Sequence, residues 1–377
     1  MAASGVPSPL YVVYQQEWGF SDTTLTVVFA IYILGLLAAL LTVGALSDHV
    51  GRRPVLAASI VLEVVSLALF ILADGVVVLA LARVAQGIAT GAAITTLAAA
   101  LVDLNPPQAP TRAGVVNSVA PVGGLAVGAL GCGALVQYAP APTRLVYWLV
   151  MAGMLVALAI VARLPETSTR QPGALASLRP RVGLPANARV GFAVLLPIFI
   201  ASWALGGLYL SLGPSVAASL FHLHSHLVGG LVVSLLCAVG GASAFVLRAA
   251  RPQGLIVPSA VVLAAGMAIT LAGVVADSAT LAAGGTVVAG LGFGAAALAC
   301  FGTLARLATP DERGELFAAA YVIAYVSFSV PAVLAGFAST SYGLRTTTEV
   351  YGVAVVLISL AALVAQRVIG ELERTAS

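Results

Sequence analysis

There is no lysine in this chain, and all 17 of its basic side chains are arginine. The phosphate-gripping loop GxxxxGK[ST] is therefore absent, which excludes ATP hydrolysis by that route. Charge of either sign is scarce. Of the 377 residues 8% are charged, against about 25% in a soluble domain, while 60% are hydrophobic. Such a chain cannot cover its own surface in water, so a soluble globular protein is excluded. The net charge of +3 is small and the arginines fall in short segments, so no nucleic-acid face is implied. Cysteine is rare as well. Cys132, Cys237 and Cys300 each sit inside an apolar run, which reads as core packing and not as a disulfide framework. No GxSxG or HExxH pattern occurs, and every histidine lies at or beyond the end of an apolar run, so a membrane-embedded enzyme has no support. No cofactor or metal is expected; the HLHSH stretch (His222, His224, His226) could hold a metal but reads first as a solvated loop.

What is there in abundance is apolar sequence. A helix needs about 20 apolar residues to cross the hydrocarbon core. Runs of that kind fall near 23–46, 54–73, 75–102, 113–136 and 143–164, then near 190–211, 226–248, 254–275, 279–306, 314–338 and 346–368. These are eleven full spans, with residues 2–16 left over. If the first full span runs inward, 14 arginines fall on the inner side and only Arg144 and Arg345 on the outer, with Arg83 inside a span. That bias puts the C-terminus in the cytoplasm and the protein in the cell membrane. The longest connection, 165–189, is also the most basic, and it reads as a cytoplasmic linker between a bundle at 1–164 and a bundle at 190–377.

The two bundles read as a repeat. QGIATGAA (86–93) resembles AGLGFGAA (289–296) with both glycines offset by 203, Arg53-Pro54 matches Arg251-Pro252, and Arg112 matches Arg313. By that offset the seventh span's counterpart begins before Met1. The opening MAASGVPSPLYVVYQQEWGF is thus expected to be the outer part of a first span whose inner part is missing.

Polar residues inside the spans are the candidates for chemistry. The densest polar cluster is GALSDHVGRRP (44–54), where Gly44 and Gly51 permit a tight turn, Asp48 can face a helix N-terminus, and Arg52 and Arg53 anchor the inner surface. Arg83, Gln86 and Thr90 share one helical face in the fourth span. An arginine at membrane depth faces a cavity or a partner. Depth arithmetic at 1.5 Å per residue brings Glu63 within about 5 Å of the same level, which makes it the natural partner. Glu63 is then either one half of a structural pair or a proton carrier, and its protonated form is the cheaper one to bury. In the fifth span Asn117, Pro121, Gly124, Gly128 and Gly131 form a small-residue stripe that lets another helix approach.

Two of these motifs resemble those of the major facilitator superfamily. Gly44, Asp48, Gly51, Arg52 and Arg53 match its cytoplasmic signature loop, with His49 where that family carries a fixed cation. LALARVAQGIATGAA (79–93) resembles its fourth-span motif Arg-x-x-Gln-Gly-x-x-x-Gly through Arg83, Gln86, Gly87 and Gly91. The span-five stripe resembles the family's antiporter motif, but Ala129 and Cys132 depart from it, and plain packing by Gly124 and Gly128 is an equal reading. The resemblance implies an all-α polytopic fold of two six-helix bundles related by a pseudo-two-fold axis. It implies gating at the signature loop and a role in coupling or substrate binding for Arg83, Gln86 and Thr90, while Glu63, on a span that is mostly peripheral in that family, is either a structural partner or a proton carrier. It also places Trp203, Tyr321 and Tyr325 on cavity-lining spans, where they form a substrate wall or ordinary interhelical packing. The function implied is alternating-access transport of a small solute by a monomer, with proton-coupled efflux of a drug-like or metabolite compound first. Proton-coupled uptake comes next, and a non-transporting sensor is the reading from a different class.

Overall fold

The computed structural model describes residues 1–377 except 106, 107, 109–111, 169, 170, 181, 224, 308, 310, 311 and 377, with backbone alone at 112, 113, 115, 118 and 367–376. Arg170, Arg181 and His224, and the side chains of Arg112, Arg367 and Arg374, therefore lie outside the described residues. Every regular element among the described residues is helical. That follows from the medium: without water to bind them, backbone N–H and C=O groups must pair within their own segment.

The contacts divide the chain into two compact units, 1–181 and 182–377, with the boundary inside the basic 165–189 stretch. In unit 1 the helices are α1 (Ala2–Gly5), α2 (Pro7–Trp18), α3 (Asp22–Val43), α4 (Leu46–Val50), α5 (Arg52–Leu72), α6 (Val76–Asp103), α7 (Arg112–Tyr138), α8 (Leu145–Val161) and α9 (Ala174–Ser177). Unit 2 holds α10 (Arg189–Ser211), α11 (Gly213–Ser219), α12 (His226–Val246), α13 (Ile256–Val275), α14 (Ala279–Leu307), α15 (Arg313–Tyr342) and α16 (Leu344–Ala376). Ten helices among the described residues are long and apolar enough to span a membrane. The run read as a span at 143–164 forms the shorter, equally apolar α8. The protein is an integral membrane protein. Large apolar side chains such as Leu34, Leu72 and Val77 stay exposed on the helix faces, as a lipid-facing surface requires.

Polar residues and glycines punctuate the helices. Ser21 caps α3 by accepting a hydrogen bond from the Thr24 N–H at 3.3 Å. Gly19 (φ 66°) closes α2 in the left-handed region.

Both units follow one packing plan. In unit 1, α6 packs on α3 and α5, α8 on α5, and α1 on α7. In unit 2, α14 packs on α12 and α13, α16 on α13, and α10 on α15. Pair for pair these are the contacts a duplicated bundle makes, and the glycines spaced 203 apart show why. A Cβ on Gly87 or Gly91 of α6 would stand 2.2 and 2.3 Å from the carbonyl oxygens of Tyr32 and Leu36 on α3. A Cβ on Gly294 of α14 would stand 1.9 Å from the carbonyl oxygen of Gly240 on α12. Close helix approach of this kind supplies van der Waals contact that lipid cannot replace. In α7, a Cβ on Gly128 would stand 2.0 Å from the Ala2 carbonyl oxygen and one on Gly124 would stand 2.9 Å from the Met1 Cβ, whereas Gly131 has no neighbour within 4 Å. The stripe read in the fifth span is therefore two glycines deep, and Gly131 is not part of that contact.

Candidate functional site

Unit 1 carries a buried polar cluster where α1, α5 and α6 meet. Arg83, on α6, is 2% exposed and Glu63, on α5, 6%; these are the charged side chains buried among the described residues. Arg83 Nη1 donates to Gln86 Oε1 at 2.6 Å, and Gln86 Nε2 donates both to Glu63 Oε1 at 3.2 Å and to the Ala3 carbonyl at 3.0 Å. No ion pair joins Arg83 to Glu63. Direct partnership was the sequence expectation, and the structure corrects it: one turn of α6 brings Gln86 between the two charges. An amide has an acceptor for the guanidinium and donors for the carboxylate, so it relays between opposite charges without reversing. The Arg83 guanidinium is further held by rings, with its Cζ 4.2 Å from the Tyr32 centroid and 5.7 Å from that of Tyr11. Arg83 Nε and the Tyr11 hydroxyl make no hydrogen bond. A buried donor left open beside a fixed cation is what a cluster that meets a solute or a proton would offer. Thr90, on the same face, lies with its Oγ1 3.2 Å from Ser4 Oγ.

A second assembly sits at the α4–α5 turn. Gly51 has φ 112°, a region that disfavours any side chain, and a Cβ there would meet Glu166 Oε2 at 2.6 Å. Glu166 fills that space. It accepts hydrogen bonds from the backbone N–H groups of Arg52 (2.7 Å), Arg53 (3.1 Å), Thr167 (3.1 Å) and Ser168 (3.1 Å). The carboxylate thus caps the N-terminus of α5, where the helix dipole favours an anion. Arg52 pairs with Asp48, donates from Nε to Asp103 Oδ2 at 3.1 Å, and donates from Nη1 to Ser47 Oγ at 2.6 Å. Asp103 is the α6 end of this network. His49 makes no ion pair; its ring nitrogen lies 3.1 Å from the Ala45 carbonyl and its backbone carbonyl accepts from the Gln171 N–H at 3.0 Å. Gly44 keeps an ordinary helical backbone (φ −53°, ψ −48°) and is constrained by space instead, since a Cβ there would stand 2.7 Å from the Leu40 carbonyl oxygen.

Partial burial disfavours the charged form of Glu166, yet the four backbone donors outweigh it and hold the carboxyl below its ordinary value. A depressed carboxyl stabilises the fold above its unfolded-state value near 4.3, and that contribution is lost as pH falls through the folded-state value. Glu166→Gln should therefore lower the melting temperature of the purified protein at pH 7, and the gap to wild type should close on acidification below about pH 4. A gap that persists there would show that the amide geometry, not the charge, matters.

Unit 2 gathers aromatic side chains from α10, α14 and α15. Trp203 meets Tyr325 edge-on with ring centroids 5.1 Å apart, and Phe301 lies 5.5 Å from Tyr321 and 6.1 Å from Phe317. Tyr321 and Tyr325 stack at 6.2 Å. The sequence reading named Trp203, Tyr321 and Tyr325 but passed over Phe301, which joins them only once α14 is laid beside α15, and Phe317, which stands one turn before Tyr321 on α15. Tyr11, Tyr32 and Glu166 were missed likewise. A tyrosine within an aliphatic span was the available signal for the first two; for Glu166 there was none beyond its place just after a span. Among the described residues no group of three His, Cys, Asp or Glu converges as metal ligands would.

Sequence similarity to the Major Facilitator Superfamily runs over residues 1–251. No curated protein matches this chain. The crystal structure of the human organic anion transporter MFSD10 (TETRAN) superposes with a TM-score of 0.67, covering 90% of this chain and 83% of that one at 16% identity. Identity that low speaks to the fold alone, while the match over two thirds of the chain speaks to descent. The chain belongs to the Major Facilitator Superfamily.

Proposed function

We propose that this membrane transporter of small solutes extrudes a partly apolar compound in exchange for protons, working as a monomer in the cell membrane with its C-terminus in the cytoplasm. The observation that carries the proposal is the Glu63–Gln86–Arg83 relay, which holds a titratable carboxylate and a permanent cation together at membrane depth. Glu63 is the proton carrier. Its protonation removes the charge that Gln86 Nε2 faces, which frees the amide and changes what Arg83 can hold. Arg83, Gln86 and Thr90 present polar groups to the solute in unit 1, and Trp203, Tyr321 and Tyr325 are the aromatic contacts of unit 2. The α4–α5 assembly of Asp48, Arg52 and Glu166 is the cytoplasmic latch of an alternating-access cycle. Uptake in symport with protons is the second reading, favoured by Ala129 and Cys132, which are fully buried where the antiporter pattern has other residues.

Proteoliposomes loaded with a panel of fluorescent amphiphilic compounds test the coupling. Wild-type flux should follow an imposed pH gradient, and Glu63→Gln should move solute down its own gradient while losing at least about tenfold of the pH-driven component. Wild-type flux indifferent to pH would overturn proton coupling. Accumulation with the proton gradient, instead of extrusion against it, would favour uptake.

A further inference from the structure

A cavity of about 290 Å³ lies inside unit 2, where α10 and α13 end and α12, α14 and α16 begin. It is separate from the Arg83 cluster, and neither Tyr321 nor Tyr325 lines it. Among the described residues no charged side chain lines it, and its polar side chains are Tyr209, Thr270, Thr286 and Thr348. The first three form a buried set. The Tyr209 hydroxyl lies 2.9 Å from Thr286 Oγ1 and 3.3 Å from Thr270 Oγ1.

Counting hydrogens shows what this floor can offer. Thr270 donates to the Gly266 carbonyl at 3.0 Å, Thr286 to the Ala282 carbonyl at 2.9 Å and Thr348 to the Leu344 carbonyl at 2.7 Å. All three threonine hydrogens are therefore committed to their own helices. The single phenolic hydrogen of Tyr209 goes to Thr286, the nearer oxygen, and nothing is left to donate to the phenolic oxygen. The floor has no spare donor, only acceptor lone pairs, on Tyr209 Oη and on the threonine oxygens. Thr286 also stands 203 residues after Arg83, the offset of the paired glycines, so unit 2 carries a neutral hydroxyl where unit 1 carries a cation.

We infer that this cavity binds a neutral, largely apolar molecule with one hydroxyl, whose O–H donates to Tyr209 Oη. An ion or zwitterion would meet no charged partner among the described lining residues, whose side chains are almost all apolar. The size is set by the volume, about twice the roughly 150 Å³ of a cavity that holds benzene, hence about a dozen non-hydrogen atoms. Leu231 (43% exposed) on α12 and Ala283 on α14 line the cavity and reach the surface, as does Leu223 (37% exposed) just before α12, and the entrance is assigned to the α12–α14 side. Both helices turn apolar side chains outward there, so the ligand arrives from the lipid.

Thymol, a phenol with an apolar body of that size, and p-cymene, the same body without the hydroxyl, are the probes. Thermal unfolding of the purified full chain in detergent is the readout. Thymol should raise the melting temperature of wild type by a few degrees. Ala283→Trp, at an exposed position that tolerates a large side chain, should abolish the rise by filling the entrance; Leu231→Trp closes it from the other helix if the first variant folds poorly. Tyr209→Phe should weaken thymol by about tenfold and leave p-cymene unchanged. An equal rise in wild type and in both obstructed variants would place the probe in the micelle and overturn the site. Thymol binding untouched by Tyr209→Phe would overturn the hydroxyl assignment.

Discussion

Arg83→Ala removes gradient-driven flux, by on the order of a hundredfold, and leaves a folded, monodisperse protein. The first half of that result follows from what the guanidinium does. It is the permanent cation of the buried cluster, fixed by Gln86 at 2.6 Å and by the face of Tyr32 at 4.2 Å. A solute or a proton entering the cluster meets that charge, and charge-assisted hydrogen bonds are worth roughly 1.5–3 kcal/mol each. The second half follows from opposing terms. Burying the guanidinium costs several kcal/mol, while the ring contact and the hydrogen bond to Gln86 return about 2 and 1.5–3 kcal/mol. Alanine removes both sides together, so stability changes little. Arg83→Lys is the sharper control: it keeps the charge but loses the planar stack on Tyr32, and flux should fall by about tenfold or more. Size-exclusion profiles alongside proteoliposome flux check both. Unfolded Arg83→Ala protein would make the cluster a structural one.

Gly294→Val should cost the fold itself. Its Cβ would lie 1.9 Å from the Gly240 carbonyl oxygen, a backbone atom that cannot rotate aside. α14 and α12 would have to separate, which opens the seam that Gly290 and Gly294 hold closed. Overpacking of this severity costs roughly 3 kcal/mol or more, and loss of the monodisperse peak is the expected outcome. Gly91→Val repeats the test in unit 1, with its Cβ 2.3 Å from the Leu36 carbonyl oxygen. Gly284→Val is the control, since nothing lies within 4 Å of a Cβ there. If Gly294→Val and Gly284→Val melt alike, the glycine seams are not what holds the helices together.

The spans were legible because lipid demands long apolar runs, and the glycine pairs were legible because a repeated contact leaves a repeated spacing. Arg83 and Gln86 stood out for a physical reason as well, being costly residues at membrane depth. What periodicity could not give was the order of the relay. Depth arithmetic put Glu63 and Arg83 level, but the choice between direct contact and an intervening amide turns on side-chain directions finer than one helical turn. The α4–α5 assembly was half visible: Gly51 and Arg52 declare a turn, whereas Asp103 and Glu166 reach it from 51 and 114 residues away. The cavity of unit 2 left no trace in the sequence. Its lining comes from six helices, and each apolar residue there looks like ordinary core until the helices are assembled.

The relay in unit 1 also has an electrical meaning. With Glu63 ionised, one guanidinium and one carboxylate sum to zero; with Glu63 protonated, the cluster carries one positive charge. The membrane potential therefore does work on only one of the two forms, up to about 2.3 kcal/mol per 100 mV if the charge crosses the whole field. The hydroxyl set of unit 2 feels no such force in any state. On the proposed proton coupling, the buried polar site of unit 1 is the one that responds to voltage, and the hydroxyl set of unit 2 does not.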